Sequence, residues 1–364
     1  VIPQNTLDYR PNLNLLKPKY VVHGDDWQTG IQKVTRMQVI KTLKKWNGRL
    51  IEPKYIKNIS SSLIKENILR VGTSPDKRKS KLRRIMEAKK IVRILESHSA
   101  LTGLIIENLK VIKKQNYLEF DGMWSSSLTD SALRGKPDNQ SVDYSTRIQG
   151  LNEILEVTTK PIIFDADNGG RLEHLPYMIK SLERIGVSAA IIEDKVGLKQ
   201  NSLFKNQSGV KQDSIKKFCQ KIAKAKDTKI SDDFLIIARI ESFILGKSLS
   251  DALKRAEAYS KAGADAILIH SKENNPSQIF SFAKKFTKSK FFKPMVAVPS
   301  SYSKTYERDF IKNGFKIVIY ANHLMRASYP AMLNAAKSIL FNNRSFNIEN
   351  KISPIKDIIN LIKQ

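Results

Sequence analysis

Short apolar runs alternate with helical patterns along most of the chain, at spacings of roughly 25–40 residues from residue 98 onward. Continuous apolar runs of this length are typical of strands that are buried on both faces of a parallel sheet. The runs cover residues 120–124, 162–164, 189–192, 234–238, 266–269, 295–298 and 317–320. We therefore predict a parallel sheet whose strands are connected by helices, such as the one over residues 248–261 that opens with Ser248 and Asp251 as a capping pair.

The number of these units predicts a closed barrel. A strand near residues 100–104 would bring the seven runs to eight β/α units, which favours a (β/α)8 TIM-type barrel, with a doubly wound sheet as the alternative. A basic amphipathic helix is predicted to precede this first strand, because one face of the pattern carries Leu82, Ile85, Met86, Val92 and Leu95. The predicted fold class is α/β, with the barrel spanning residues 73–364.

Residues 1–72 differ from the barrel pattern and predict a separate, partial α/β segment. We expect a strand over residues 19–22, a helix over residues 34–46 and a second strand over residues 49–52.

Charged side chains follow several of the predicted strands. Because strand ends in a β/α barrel converge on one mouth, these side chains should meet there, although each alone could be an ordinary strand-end residue. Carboxylates without cysteine suit a hard cation, and Mg²⁺ fits best because it takes few carboxylates and keeps several waters. Arginine and histidine would supply positive charge for an anionic substrate. The acids are Asp165, Asp167 and Glu193, and the basic residues are Arg239 and His270.

Composition narrows the function classes. The 364 residues carry a formal net charge of +28, which raises nucleic-acid binding as a possibility. Aromatic residues are not interleaved with the basic ones, so we expect a solvated lysine-rich surface and no nucleic-acid partner. Two alternatives remain. Residues 1–100 could bind a local anionic partner, or the whole chain could be a non-enzymatic, basic binding protein on a degenerate barrel. No apolar run predicts a membrane span, and the single cysteine, Cys219, excludes an internal disulfide and favours the cytoplasm.

The motifs at these strand ends resemble those of phosphoenolpyruvate mutases in the isocitrate lyase superfamily, in the same order over residues 75–364. The most specific is Glu193-Asp194-Lys195, followed after five intervening residues by Asn201-Ser202. The segments 124–128 (Trp-Ser-Ser-Ser-Leu) and 165–167 (Asp-Ala-Asp) match as well, although Ser127 stands where many relatives have glycine. The catalytic Lys-Lys-Cys-Gly-His segment of the related lyases is absent.

The resemblance implies a role for each matching residue. Asp165 would contact Mg²⁺ directly, and Asp167 and Glu193 would act through bound waters. The substrate would be held by Trp124, Ser126, Ser127 and Leu128, with Asp138 facing the migrating group. Arg239 and His270 would bind phosphoryl oxygens, and a gating loop would carry Lys199, Asn201, Ser202 and Leu203. The long segment 194–210, which we call the lid, fits such a loop, with a disordered insertion as the alternative.

The implied activity is the interconversion of phosphoenolpyruvate and phosphonopyruvate in a homotetramer built as a dimer of dimers. Phosphonopyruvate hydrolase is the alternative; that group has threonine where this chain has Asn201, so Asn201 favours the mutase. Apolar residues at helical spacing over residues 352–362 would supply a subunit contact. Residues 21–27 and 59–62 resemble the second half of a cytidylyltransferase, with the second segment opening a phosphate-binding helix.

Overall fold

The computed structural model describes residues 8–29, 32–53, 73–113, 116–197, 199–204, 207 and 209–362. The chain divides into two compact units, Val1–Asn67 and Ile68–Gln364. Their division falls in the segment 54–72, outside the described residues, so the predicted boundary after residue 72 stays a prediction.

The first unit is a small α/β structure. It contains α1 (Arg10–Leu16), β1 (Tyr20–Val22), α2 (Lys33–Leu43) and β2 (Arg49–Ile51), with 3₁₀ turns at Asp25–Gln28 and Lys44–Trp46. The two strands pair in parallel, and Trp27, Val39, Leu43 and Leu13 form the core. The predicted strands and helix are confirmed within a few residues. The resemblance to cytidylyltransferases is not confirmed, and its segment 59–62 lies outside the described residues.

The second unit is built around a closed barrel of eight parallel strands, which confirms the predicted fold class. In chain order its elements are α3 (Pro75–Ala88), β3 (Val92–Glu96), α4 (Ala100–Asn108), β4 (Val111–Lys113), β5 (Asn116–Leu118), β6 (Gly122–Ser125), α5 (Ser127–Leu133), α6 (Tyr144–Val157), β7 (Ile162–Asp165), α7 (Leu175–Arg184), β8 (Ala189–Glu193), β9 (Lys195–Val196), β10 (Lys211–Gln212), α8 (Ile215–Thr228), β11 (Leu235–Ile240), α9 (Leu249–Lys261), β12 (Ala266–Ile269), α10 (Ser277–Phe286), β13 (Met295–Ala297), α11 (Glu307–Lys312), β14 (Phe315–Tyr320), α12 (His323–Asn342) and α13 (Ile355–Leu361). The barrel order is β3-β6-β7-β8-β11-β12-β13-β14, and β14 pairs with β3 to close it.

The first barrel strand is the one element that the sequence analysis placed wrongly. The strand is β3, whereas residues 100–104 lie in α4, and the preceding helix ends at Ala88 before Val92 and Leu95. Arg93 interrupts the apolar run, which made a helix the simpler interpretation; in the fold its side chain leaves the sheet and pairs with Glu307 at 2.8 Å. Ser99 caps α4 through a reciprocal pair of hydrogen bonds with Thr102, which fixes the helix start.

Alternation along the strands separates an inner from an outer core. Ile163, Ile191 and Ile237 belong to a cluster made almost entirely of strand residues, which fills the barrel interior. Their neighbours Ile162 and Ile236 pack in a second cluster, together with residues of the surrounding helices. Since successive strand residues point to opposite sides, Asp165, Glu193 and Arg239 continue the inward-facing series at the C-terminal ends of their strands.

The N-terminal end of the barrel is covered by α3. Its Leu82 joins the inner cluster, and the buried Arg78 donates to the carbonyl oxygens of Leu155 and Thr158, both at 2.9 Å. The open mouth is therefore the C-terminal one. Among the described helices, none is both long and apolar enough to cross a membrane.

Close packing around Gly122 in β6 predicts that alanine is tolerated less well there than at Gly150 in α6. At Gly122 an added Cβ would lie 2.7 Å from the carbonyl oxygen of Pro161 and 2.8 Å from Ile94 Cδ1. Gly122→Ala should therefore destabilise the barrel by about 1–3 kcal/mol, because backbone cannot move aside cheaply. The matched change Gly150→Ala meets only the flexible end of Arg134 and should be neutral or stabilising by up to about 1 kcal/mol. Urea unfolding followed by circular dichroism measures both, and equal midpoints would contradict the packing argument.

Candidate active site

A cavity lies at the C-terminal mouth of the barrel, where the inward-facing series of strand residues ends. All eleven residues predicted to bind or act on the substrate line this cavity, together with Asp165. Asp167 and Glu193 lie just behind the lining: Asp167 contacts Lys199, and Glu193 Oε2 is 3.4 Å from the Arg239 guanidinium. The structure thus brings together the whole predicted set.

Three carboxylates are buried at the ends of β7 and β8. Asp165, Asp167 and Glu193 are all less than 7% exposed. Ser127 Oγ donates to Asp165 at 3.0 Å, and the backbone N–H of Asp167 donates to it at 3.2 Å. By contrast, Asp167 Oδ1 and Glu193 Oε2 accept no hydrogen bond and have only ion-pair contacts, with Lys199 and Arg239 respectively. Buried carboxylate oxygens without donors are costly unless a cation lies nearby, so this corner of the cavity favours positive charge.

The pKa values of these acids diverge. Burial would raise the pKa of Asp165, but the charges of Lys199 and Arg239 outweigh it and lower the pKa to about 2. Burial dominates at Glu193 and raises its pKa to about 7, against the opposing charge of Arg239. Divergent pKa values among clustered acids are typical of functional sites.

Lys199 brings positive charge from the lid onto these carboxylates. Its ammonium contacts Ser127 Oγ and Asp167, and it lies 3.0 Å from Asp138 Oδ1. Burial alone would lower the pKa of Lys199, but the charges of Asp167 and Asp165 outweigh burial and hold the pKa above its ordinary value. The amine is therefore charged, and the lid is closed over the mouth.

Asn201 makes a second contact between the lid and the cavity wall. Its Nδ2 donates to Asp138 Oδ2 at 2.9 Å, while its Oδ1 accepts from the backbone N–H of Leu203 at 3.0 Å. The two bonds fix which end of the amide points into the cavity. Asp138 thus receives both Lys199 and Asn201 in the closed arrangement.

The opposite wall carries Arg239 and His270. The two side chains are 3.1 Å apart, and both contact Glu241, a fully buried carboxylate two residues after Arg239. Burial and the Arg239 charge lower the pKa of His270, so its imidazole is neutral near pH 7. Burial would raise the pKa of Glu241, but the charge of Arg239 outweighs burial and holds that pKa well below its usual range.

Both ends of the lid are anchored to the barrel by Asp194. A short antiparallel pair closes the base of the lid: β9 lies at its start, and β10 follows directly after its last residue. Asp194 is fully buried and accepts from Gln212 Nε2 and Tyr259 Oη, both at 2.7 Å, and from the Glu241 backbone N–H at 3.0 Å. Arg255 completes the set at 3.2 Å. The two ends of the lid are therefore fixed to the barrel.

Comparison with known proteins places this site in a family. The family model described as phosphoenolpyruvate phosphomutase matches residues 82–340. A phosphoenolpyruvate phosphomutase of Tetrahymena pyriformis is 34% identical over 296 residues, covering 81% of this chain and 94% of that protein. The chain belongs to the phosphoenolpyruvate phosphomutase family.

Solved structures agree with the family at the level of the barrel. A phosphoenolpyruvate phosphomutase from Streptomyces platensis subsp. rosaceus is 32% identical, with a TM-score of 0.71 over 79% of this chain and 95% of that one. A phosphonopyruvate hydrolase complexed with oxalate and Mg²⁺ is 29% identical, with a TM-score of 0.69 over the same shares. Phosphoenolpyruvate phosphomutases and phosphonopyruvate hydrolases are thus both near this chain in fold, and the lid residues have to distinguish them.

Two buried residues of this phosphoenolpyruvate phosphomutase family site were missed as site residues by the sequence analysis. Arg147, on α6, donates to Asp130 at 2.8 Å and to the Asp165 carbonyl at 2.6 Å, with Asp167 Oδ2 at 3.4 Å. Nothing in the helical pattern around Arg147 marks it. Glu241 could have been found, since it follows β11 in the same inward-facing series as Arg239.

Proposed function

We propose that this protein interconverts phosphonopyruvate and phosphoenolpyruvate by moving the phosphoryl group within one molecule. The observation that carries the proposal is the closed lid, whose Lys199 and Asn201 meet the carboxylates of the cavity. In the direction that breaks carbon–phosphorus bonds, the bond between phosphorus and C3 breaks and its electron pair stays on carbon. The enolate oxygen of the resulting pyruvate enolate then bonds to the same phosphorus. No other reactant is needed, because the two molecules are isomers.

Each wall of the cavity has a proposed task in this transfer. A loose phosphoryl transfer is catalysed mainly by positioning and charge stabilisation. Arg239 and His270 would bind the phosphoryl oxygens. Ser126, Ser127 and Leu128 would hold the pyruvate part, and Trp124 offers a buried indole N–H that has no partner within the described residues.

The acid corner is proposed to hold Mg²⁺. The residues fit such an ion, because their donors are hard oxygens and two buried oxygens accept no hydrogen bond. In the described part of the chain, no three such side chains form a complete ligand cluster by themselves. By the family resemblance, Asp165 would be the direct ligand, with Asp167 and Glu193 acting through waters. When bound, the ion would neutralise negative charge on substrate oxygens.

The lid is proposed to keep water away from the phosphoryl group. Water that reaches a metaphosphate-like species yields inorganic phosphate in place of phosphoenolpyruvate. Lys199 and Asn201 would close the side of the cavity at Asp138 and Ser202 the side at Arg239, and Leu203 would add to the lining. The ratio of phosphoenolpyruvate to inorganic phosphate would therefore measure how well the lid closes.

Phosphorus NMR of the protein with phosphonopyruvate and Mg²⁺ tests the assignment. We expect phosphoenolpyruvate as the main product, and no conversion in excess chelator. Asp165→Ala should abolish turnover and weaken Mg²⁺ binding measured by calorimetry, while the circular dichroism spectrum stays unchanged. Conversion to inorganic phosphate alone would identify a hydrolase, and an undiminished rate in chelator would contradict the metal site.

Asn201→Ala tests the lid. One hydrogen bond to a charged group contributes about 1.5–3 kcal/mol, or roughly ten- to a hundred-fold in rate if it is made only in the transition state. We expect a loss of this size in phosphoenolpyruvate formation and a larger share of inorganic phosphate. Phe204→Ala is the matched control, because this lid side chain is 60% exposed and should change neither quantity. If the product ratio of Asn201→Ala were unchanged, the lid would not be the gate, and the hydrolase and mutase assignments would be equally supported.

A homotetramer, built as a dimer of dimers, is proposed from the C-terminal helices. Neither α12 nor α13 has a buried residue, and their apolar side chains are widely exposed, such as Leu340 at 79% and Ile355 at 78%. Apolar surface of this extent is typical of subunit interfaces.

Light scattering at micromolar concentration measures the assembly. We expect a mass near four times 41.4 kDa, and a smaller mass for the double variant Ile355→Asp/Ile359→Asp. Ile230→Asp, at a side chain that is 90% exposed away from these helices, should keep the wild-type mass. A monomeric wild type would refute the proposal.

A further inference from the structure

We propose that Glu241 is the positioning residue that couples lid closure to the Arg239–His270 pair, an inference that rests on the proposed function. Glu241 does not line the cavity and would act only through the groups that it holds. Its carboxylate is fully buried and contacts residues from the lid and from two barrel strand ends.

One oxygen of Glu241 orients the phosphoryl-binding wall. Glu241 Oε1 accepts from Arg239 Nε at 2.6 Å and lies 3.1 Å from His270 Nδ1. Holding a guanidinium by its Nε leaves its terminal nitrogens to face the cavity and the lid. The carboxylate therefore sets the direction in which Arg239 presents its charge.

The other oxygen receives the lid. Glu241 Oε2 accepts from Ser202 Oγ at 2.5 Å and lies 3.4 Å from Lys195 Nζ. Lys195 and Ser202 lie at the start and in the middle of the lid. Closure at this point therefore delivers the Ser202 hydroxyl to the carboxylate that already holds Arg239, beside Lys195 at the fixed base of the lid.

The Ser202 hydroxyl makes the coupling directional. It accepts from Lys195 Nζ and from the Arg239 terminal nitrogen, both at 2.8 Å. Neither cation can accept a hydrogen bond, so the hydroxyl proton must point at Glu241. An acceptor at Oε2 is thus required for Ser202 to sit between the two cations, and a neutral amide in place of the carboxylate would lack the charge that balances them.

Glu241 is itself fixed independently of the substrate. Its backbone N–H donates to Asp194 at 3.0 Å, and Asp194 also binds Gln212 in β10, directly after the lid. The two contacts place the Glu241 main chain at the lid base and its side chain at the lid centre. If the Glu241 carboxylate were lost, Arg239 would lose its orientation and the lid its central contact together.

Glu241→Gln tests this role, with Glu183→Gln as the matched control. Glu183 is also a buried carboxylate, but it accepts from the backbone N–H groups of Ile230 and Ser231 away from the cavity. We expect Glu241→Gln to lower kcat/KM for phosphonopyruvate about tenfold or more, to raise the inorganic phosphate share, and to leave the lid open to trypsin in the presence of phosphonopyruvate and Mg²⁺. Glu183→Gln should lower the melting temperature, because it weakens two buried hydrogen bonds, but should keep the wild-type product ratio and lid protection.

Ser202→Ala provides the second variant, because it removes the lid partner without touching the barrel core. It should raise the phosphate share as Glu241→Gln does, and the double variant should be no worse than the more damaged single variant. Wild-type product ratio and lid protection in both single variants, or additive losses in the double variant, would overturn the coupling. A wild-type protein that leaves phosphonopyruvate unchanged would instead refute the proposed function, while trypsin protection still reports on the lid.

Discussion

Negative charge buried at the barrel mouth has to be compensated, and the rest of the site depends on that compensation. Isolated carboxylates in such surroundings would cost several kcal/mol each. Their partners are cations from two sources, the barrel and the lid. The buried acids are Asp165, Asp167, Glu193 and Glu241, and the cations are Arg147, Arg239, Lys195 and Lys199. Because Lys199 lies on the lid between its fixed ends, its charge compensates these acids only when the mouth is closed.

The barrel makes this arrangement possible through the two-residue period of its strands. The apolar residues that fill the interior, such as Ile163 and Ile237, are followed at the same parity by Asp165 and Arg239. Along each strand, the inward-facing positions thus carry apolar core residues first and polar site residues at the C-terminal end. Stability and site geometry are consequently separated along each strand, with α3 covering the other end.

Sequence reasoning predicted what repeats and what is local, and missed what depends on contacts distant in sequence. The apolar runs identified seven barrel strands, but β3 was missed because Arg93 breaks its run and finds Glu307 only in the fold. Strand-end position and family motifs located the cavity residues together. Arg147 reaches Asp165 from a helix, and Ser202 chooses Glu241 among several acids. Neither contact leaves a trace in spacing or composition.

In the proposed transfer, the phosphoryl group never leaves the closed cavity. A crossover experiment tests this most directly. Phosphonopyruvate labelled with ¹⁸O on phosphorus and ¹³C in the carbon chain is mixed with unlabelled phosphonopyruvate. Mass spectrometry then measures the isotopic composition of the phosphoenolpyruvate formed. Transfer within one molecule predicts that both labels stay together in the same product molecules. Scrambling of the labels between molecules would show that the phosphoryl group escapes, and would contradict a lid that holds it in place.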